Sequence, residues 1–438
     1  MGLGVEEMQK TLTVGLLGLG TVGSGVVKII RNHQHELQHQ IGRPVEVGKV
    51  LVRDLQKARD VDLSNDCVTL KAEDVVDNEA IDVVIEVMGG VTEAKDYIVR
   101  ALKNKKHVVT ANKDLMALHG AELLALAAES RCDLFYEASV AGGIPIIRSL
   151  TEGLAADRIT KMMGIVNGTT NYILTKMAKE GLPYEEVLSQ AQALGFAESD
   201  PTADVEGLDA ARKMAILATL GFSMDVRLDD VVVRGITSVT KADLEYCEQL
   251  GYTLKLIGLA DRKDERVEVS VQPTLLPNDH PLASVNDEYN AVYVHGEAVG
   301  ETMFYGPGAG SLPTATAVVS DLVTVLKNMR LHVNGHAGAR PLHEKKLKAD
   351  VEIESKYFFR LRVIDRAGTF SAITSLFAER DVSFEKLLQL PVEGEDVAEV
   401  IIITHTTSKE TYDFLYNALV KLDVIESVES SYRVEGGK

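Results

Sequence analysis

The densest run of chemically capable side chains is Gly195-Phe-Ala-Glu198-Ser-Asp200-Pro-Thr-Ala-Asp204-Val-Glu206-Gly-Leu-Asp209-Ala-Ala-Arg-Lys213. Five carboxylates within twelve positions repel one another unless cations or a cationic substrate group compensate. Pro201 and Gly207 break the stretch into a shaped loop that leads into a helix, on which Asp209 and Lys213 lie four apart and share a face. Reduction of a carbonyl needs a proton donor near the oxygen that becomes an alkoxide, and groups that hold the substrate's charges. A lysine can donate, an aspartate can orient it, and free carboxylates can grip a substrate ammonium. An isolated D-x-x-x-K pair would be read as a surface ion pair beside a solvated loop. The acid cluster, shaped by Pro and Gly and ending in one lysine, favours a site.

A second signal is Gly18-Leu19-Gly20-Thr21-Val22-Gly23, which follows the apolar run 13–17 and opens a helix over 22–32. The strand before and helix after give G-x-G-x-x-G the context it needs to indicate a dinucleotide site rather than a plain glycine-rich turn. Gly18 allows the tight turn, Gly20 lets the backbone approach a pyrophosphate, and Gly23 lets helix and strand pack closely. The helix start then offers free N–H groups to phosphate. Past the second strand come Arg53 and Asp54. An acid there would bond the ribose 2′-OH of NAD, and an arginine the 2′-phosphate of NADP. Arg53 comes first, with Lys57 and Arg59 behind it, which tilts the reading toward NADP. A solvated charged loop accounts for the same residues.

The elements that must position these groups fall into three regions. The runs 13–17, 47–52, 81–87, 107–110 and 133–137 alternate with helical stretches, which predicts an α/β fold of parallel βαβ units, a Rossmann-type sheet. Strands buried on both faces explain the unbroken Val83-Val84-Ile85 and Val108-Val109. From 148 to 343, helices over 170–180, 184–194 and 208–220 precede β-rich sequence at 267–274 and 291–294, an α+β unit. A helix over 316–327, preceded by the turn Gly306-Pro-Gly-Ala-Gly310, is expected to return to the first unit. The charged stretch 343–350 (HEKKLKAD) reads as a linker. The remainder alternates as strand 357–364, helix 368–379, strands 384–389 and 398–404, helix 409–422 and strand 424–432, the split-βαβ, ferredoxin-like order.

Bulk properties set limits on all of this. A chain of 438 residues is too long for one ordinary core. Its 45% hydrophobic and 25% charged content is that of a packed globular protein. The formal charge of −19 argues against a nucleic-acid or anionic-membrane partner, since the summed field repels polyanions. Residues 1–10 carry Glu6 and Glu7 and no apolar core of a secretory leader, and no uninterrupted apolar stretch spans a bilayer, so a cytoplasmic enzyme is expected. Cys67, Cys132 and Cys247 are far apart and odd in number, which points to a reducing compartment. None lies in a motif, as the nucleophile of an acyl-forming aldehyde dehydrogenase would. Simple hydride transfer between a carbonyl and an alcohol is the better reaction class.

With GLGTVG at 18–23, VVTANK at 108–113, EASVAGGIPII at 137–147, VNGTTNYIL at 166–174 and GFAESDPTADVEGLDAARK at 195–213, the chain resembles homoserine dehydrogenase over essentially its whole length, with no departure at functional positions. The resemblance implies NAD(P)-dependent interconversion of L-homoserine and L-aspartate 4-semialdehyde in threonine, methionine and isoleucine biosynthesis. It implies that Lys213 is the proton donor and acceptor, with Asp209 close to it and to the substrate hydroxyl. Glu198 and Asp204 would hold the substrate amino group, and Gly195 would lend backbone contacts. Lys113 would lie near nicotinamide and substrate, where taken alone it reads as a helix-start lysine in solvent. Thr110 and Gly308 would touch the cofactor. Glu137, Val140, Gly142 and Ile144 match the family's monovalent-cation site, for Na+ or K+. Ala141-Gly-Gly143 before Pro145 can turn carbonyls inward, with Glu137 adding charge.

The tail, with Asp365-Arg-Ala-Gly368 at its first strand–helix turn, resembles an ACT regulatory domain, which implies an end-product amino acid, threonine, as ligand. An oligomerisation unit without ligand would look the same. The resemblance implies a dinucleotide-binding Rossmann domain over 1–147 with a return helix over about 311–335, a catalytic and dimerisation domain over 148–343 and an ACT-like regulatory domain over 350–438, in a homodimer or homotetramer. A catalytically silent amino-acid sensor and a dehydrogenase of another small hydroxy-amino compound are the alternatives; intact Lys113, Asp209 and Lys213 speak against the first. Asp200 and Glu206 receive no role.

Overall fold

The computed structural model describes residues 11–335, 341–392, 394 and 396–436, so the reading of residues 1–10 lies outside the described residues. The chain opens with β1 (Leu12–Leu17), α1 (Thr21–Asn32), β2 (Val45–Leu51), β3 (Val68–Thr69), β4 (Val83–Glu86), α2 (Thr92–Lys103), β5 (His107–Thr110), α3 (Lys113–Ser130) and β6 (Leu134–Phe135). The six strands pair in parallel in the order β3-β2-β1-β4-β5-β6. Val83, Val84, Ile85, Val108 and Val109 are fully buried, as strands covered on both faces require. Strand order reverses between β1 and β4, the kind of switch point beside which open α/β sheets bind ligands at the carboxyl ends of their strands. β3, two residues long and flanked by polar sequence, gives no periodic signal to read.

Next come β7 (Ile159–Ile165), α4 (Gly168–Glu180), α5 (Tyr184–Ala193), α6 (Leu208–Phe222), β8 (Val231–Val233), α7 (Lys241–Gln249), β9 (Tyr252–Lys263), β10 (Arg266–Pro277), β11 (Tyr289–Gly296), β12 (Gly300–Pro307) and α8 (Ser311–Leu331). α8 packs back against the parallel sheet. Its Ala315, Val318, Leu322 and Val325 share a core with Val26 and Ile30 of α1 and Val14 and Leu16 of β1. Among the described residues no helix is long and apolar enough to cross a membrane.

The tail is β13 (Glu354–Ile364), α9 (Thr369–Ala378), β14 (Phe384–Pro391), β15 (Val397–Thr404), β16 (Thr407–Ser408), α10 (Lys409–Leu419) and β17 (Ile425–Val434), in the β-α-β-β-α-β order read from the sequence with one two-residue strand added. Its four long strands lie antiparallel as β17-β13-β15-β14. It does not form a sheet of its own. β17 pairs in parallel with β10 at Thr274–Arg433 and Leu275–Val434, which fuses the tail into one eleven-stranded mixed sheet whose path runs β12-β11-β7-β9-β10-β17-β13-β15-β14, with β8 paired to β10 and β16 to β13 off that path.

Buried ion pairs lie along this seam. Arg433 meets Glu268 at 2.9 Å and Glu435 at 2.7 Å. Arg360 meets Asp243 and Glu399, both at 2.8 Å, and Asp243 also accepts from Tyr432 at 2.9 Å. The stretch 343–350 is accordingly no free linker. Lys345 pairs with Asp230 at 2.7 Å, and Lys346 and Lys348 exchange main-chain hydrogen bonds with Val267. Lys348 also serves as a counter-ion of the sheet, beside Asp261 and 3.7 Å from Glu268.

Candidate active site

The three glycines of the phosphate-binding pattern occupy three different environments. Gly18 has φ +103°, and a Cβ there would lie 2.8 Å from Met88 Cα. A Cβ on Gly23 would fall 2.3 Å from the Gly18 carbonyl oxygen, so this position fixes how closely α1 meets β1. Gly20 caps α1 in extended conformation, with no side chain accepting from the helix's first amides and nothing within 4 Å of where its Cβ would stand. It leaves an open cradle at a helix start, which suits a phosphate. Leu19 turns its side chain into the core and can offer only main chain, while Thr21 is exposed and Val22 half-buried.

Gly308 lies in the turn between β12 and α8. Ser311 of that helix donates to the Thr21 carbonyl at 2.7 Å, so the second glycine turn abuts the first. Arg53 is exposed just past β2 and faces Glu93 at 3.6 Å.

A row of contacts runs from this cradle to the acidic segment. Glu86, at the end of β4, is buried, and its carboxylate accepts from Met88 N (2.9 Å) and from the Thr110 hydroxyl (2.6 Å). Burial raises its pKa, partly offset by those hydrogen bonds. Thr110 therefore shapes the site through Glu86 rather than presenting a free hydroxyl. Asn112 caps α3 by accepting from Leu115 N, while its Nδ2 donates to Gly90 O at 2.6 Å. The next residue is Lys113, whose Nζ lies 2.5 Å from Asp209 Oδ1 on α6. The solvent lysine of the plain reading is in fact a cross-link between the parallel sheet and the acidic segment. Arg212 and Asp114, at 2.8 Å, repeat the link one step along.

Asp209 Oδ2 accepts from Lys213 Nζ at 2.7 Å, and the same ammonium donates to Val166 O, at the end of β7, at 2.7 Å. Burial alone would raise the pKa of Asp209, but the two ammonium groups outweigh it and hold the carboxyl well below the usual range. Burial likewise works to lower the pKa of Lys113, and the Asp209 charge overrides it to leave it raised. Asp204 is half-buried, and desolvation raises its pKa.

Asn167, in a motif the sequence reading quoted without assigning a role, donates to Asp204 Oδ1 at 2.7 Å and to Asp209 Oδ2 at 2.8 Å. Its signal was an asparagine directly before a helical run. Glu198 and Gly195 lie in the exposed loop after α5, held by Thr169 Oγ1 donating to Phe196 O at 2.6 Å. Among the described residues nothing pairs with the Glu198 carboxylate. Asp200 accepts from Thr202, and Glu206 from Thr237, which gives both local structural work.

The four residues of the cation motif share one turn in which Ala141 (φ +55°) and Gly142 (φ +53°) are left-handed. The Glu137 carboxylate is buried at the start of this turn. It accepts from the main-chain amides of Ile147 (2.7 Å) and Arg148 (2.8 Å) at the start of the short helix Ile146–Arg148. What the turn offers a cation is main-chain oxygen, and among the described residues no hydrogen bond reaches the carbonyls of Val140 or Gly142. Ile144 is buried in the same turn. The turn stacks on the second glycine turn, since a Cβ on Gly142 would meet Gly308 O at 2.3 Å.

Two cysteine thiols are remote from all of this. Burial pushes Cys132 up to about 11 and Cys247 well above its ordinary value, so neither is an activated nucleophile.

Two family models and several relatives match this chain over spans that include these residues. The family "Homoserine dehydrogenase" matches residues 145–323, and "Homoserine dehydrogenase, NAD binding domain" matches 18–137. A homoserine dehydrogenase of Bacillus subtilis is 63% identical over 428 residues, covering 98% of this chain and 99% of that protein. The solved homoserine dehydrogenase of Thiobacillus denitrificans superposes with a TM-score of 0.92 at 38% identity, covering 98% and 99% of the two chains. A hyperthermophilic archaeal homoserine dehydrogenase solved in complex with NADPH gives a TM-score of 0.61 at 26% identity, covering 72% of this chain and 98% of that one.

Proposed function

This chain belongs to the homoserine dehydrogenase family, and on that premise we propose how its residues divide the reaction among them. It is an NAD(P)-dependent oxidoreductase of amino-acid biosynthesis that interconverts L-homoserine and L-aspartate 4-semialdehyde. When bound, the nicotinamide supplies or accepts the hydride. The main chain of residues 18–23 would hold its pyrophosphate, Arg53 a 2′-phosphate, and Thr110, Lys113 and Gly308 would line the nicotinamide end. The open Gly20 cradle and the solved NADPH complex of an archaeal relative support this reading.

Lys213 moves the proton. In the reductive direction it gives one to the carbonyl oxygen, and in the oxidative direction it takes one from the hydroxyl. The observation that carries this role is the use of its three N–H bonds: one goes to Asp209, one to Val166 O, and the third, with no acceptor among the described residues, would meet a substrate oxygen. Asp209 orients the ammonium, and Lys113 sets a second positive charge beside the oxygen as it becomes negative. Asp204, Asp209, Lys113 and Lys213 sum to zero charge. The substrate ammonium therefore needs a further anion, and Glu198, exposed and unpaired among the described residues, is that group, with Asp204 behind it and Gly195 lending main-chain contacts.

The test is Lys213→Ala. Turnover should fall by about 10³-fold or more, while binding of NADPH, read by its fluorescence, persists. A variant with wild-type kcat would remove Lys213 from this role.

The finer readings stand on narrower support. A monovalent cation, Na+ or K+, would bind main-chain oxygens of Glu137, Val140, Gly142 and Ile144, and replacing Na+ and K+ with a large organic cation should then lower activity. Threonine would bind the ACT-like tail near Gly368, whose φ of +97° opens the start of α9; an unchanged rate with added threonine would leave the tail structural. The division 1–147 with 311–335, 148–343 and 350–438, a cytoplasmic location, and a homodimer or homotetramer complete the reading. Sedimentation tests the last.

A further inference from the structure

We propose that Asn167 is a positioning residue for proton transfer, its side-chain amide holding Asp204 and Asp209 in the arrangement that aims Lys213. The proposal rests on the role of Lys213 given above. Asn167 is 6% exposed, and its carboxamide is fully engaged. Its Oδ1 accepts from the main-chain N and the hydroxyl of Thr170, both at 2.9 Å, which caps α4. Its Nδ2 donates one proton to Asp204 Oδ1 at 2.7 Å and the other to Asp209 Oδ2 at 2.8 Å.

Capping requires only an acceptor, and Ser, Asp and Thr provide one as well. Asparagine is the cap residue that can also donate two protons. That second capacity is what the site uses. Asp209 Oδ2 accepts from both Asn167 and Lys213, while Oδ1 forms an ion pair with Lys113, so two hydrogen bonds and one charge contact hold this carboxylate. Asn167 does this without altering the charge of the cluster. An aspartate at 167 would set a third carboxylate within hydrogen-bond distance of two others. The direction of the Asp204 pKa agrees, since burial raises it and the Asn167 hydrogen bond works against burial.

Asn167→Ser and Asn167→Asp both keep a capping acceptor, and they separate the two roles. With Asn167→Ser, kcat should fall about 10- to 100-fold, the size of effect that small misplacement of a catalytic group causes, while Tm and the KM for the dinucleotide stay near wild type. With Asn167→Asp, activity near neutral pH should be lower still and should recover as pH falls, because a protonated aspartic acid again donates into the pair. Wild-type kcat and pH profile in both variants would overturn the proposal. So would an activity loss that tracks a lowered Tm with an unshifted profile, which would make Asn167 a helix cap only. Lys213→Ala assayed alongside separates this idea from its premise: an active Lys213→Ala sinks the premise, whereas an inactive one with unaffected Asn167 variants sinks only the role of Asn167.

Discussion

Lys113 Nζ and Asp209 Oδ1 stand 2.5 Å apart, and this contact joins the helix that follows β5 to the helix that carries Lys213. Because Lys213 holds the other oxygen of the same carboxylate, Asp209 separates two ammonium groups that would otherwise face each other. Its negative charge is what lets the two ammonium groups share one buried carboxylate.

Asp209→Asn keeps the shape and removes the charge. We expect kcat to fall at least about 10²-fold and stability to drop by about 1–3 kcal/mol, the cost of leaving buried charged groups without their partner. Asp209 titrates below its ordinary value in the folded state, so its contribution is complete above the usual carboxylate range and fades only as pH falls below it, below about pH 4. Urea unfolding from pH 5 to 8 should show a constant gap between wild type and variant. A gap that closes within that range would contradict the assignment.

Gly20 and Gly23 should respond in opposite ways to alanine. Gly20→Ala enters open space, so Tm should stay near wild type while the KM for the dinucleotide rises about tenfold, as a methyl group enters the phosphate cradle. Gly23→Ala forces a methyl to 2.3 Å from Gly18 O and should cost about 1–3 kcal/mol of stability by overpacking. Thermal melts and cofactor titrations of the two variants test the contrast.

Much of the parallel sheet and the tail was legible because their apolar runs are short, regular and bounded by turns. The helix carrying Lys213 was legible from its apolar pattern and its Gly207 start. β9 and β12 were not: β9 is buried almost throughout between two neighbouring strands, so it lacks alternation, and β12 lies at the sheet edge. The parallel join of β10 to β17 brings together residues about 160 positions apart in sequence, Thr274 with Arg433, and no local pattern encodes it. In the site, residue types announced Asp209 and Lys213. Asn167 and Glu86 owe their importance to what the fold sets against them, which composition does not reveal.

Arg53 stands exposed beyond β2, where a 2′-phosphate would come. Arg53→Ala should raise the KM for NADP about tenfold and leave that for NAD within about twofold, an arginine–phosphate contact being a strong charge-assisted bond. Steady-state kinetics with both nucleotides decide it. Equal effects on the two would mean that Arg53 only decorates a solvated loop.

Lys255, on β9, is 2% exposed and donates to Val285 O at 2.7 Å and Asn171 Oδ1 at 3.0 Å. Burial, with a smaller push from Lys179, pulls its pKa from near 10.5 to about 8. Between those pH values the unfolded chain binds the extra proton, so this residue makes stability rise with pH, by at most about 1.4 kcal/mol per unit. The stability of wild type relative to Lys255→Met should therefore climb from pH 8 to 10.5 and be flat below 8. Chemical denaturation across that range reads it directly.

The seam between β10 and β17 also dictates an order of events during synthesis. β17 follows every other strand of the mixed sheet in sequence, yet it sits between β10 and β13. Until residues 425–434 leave the ribosome, β13 waits with an unpaired edge and β10 with one only partly covered by β8. Glu268 meanwhile waits for Arg433. Completion of this sheet is thus a late, single closing step that the nascent chain reaches with two open edges to protect. A message shortened by a few codons within β17 would yield a sticky, unclosed sheet rather than a trimmed enzyme.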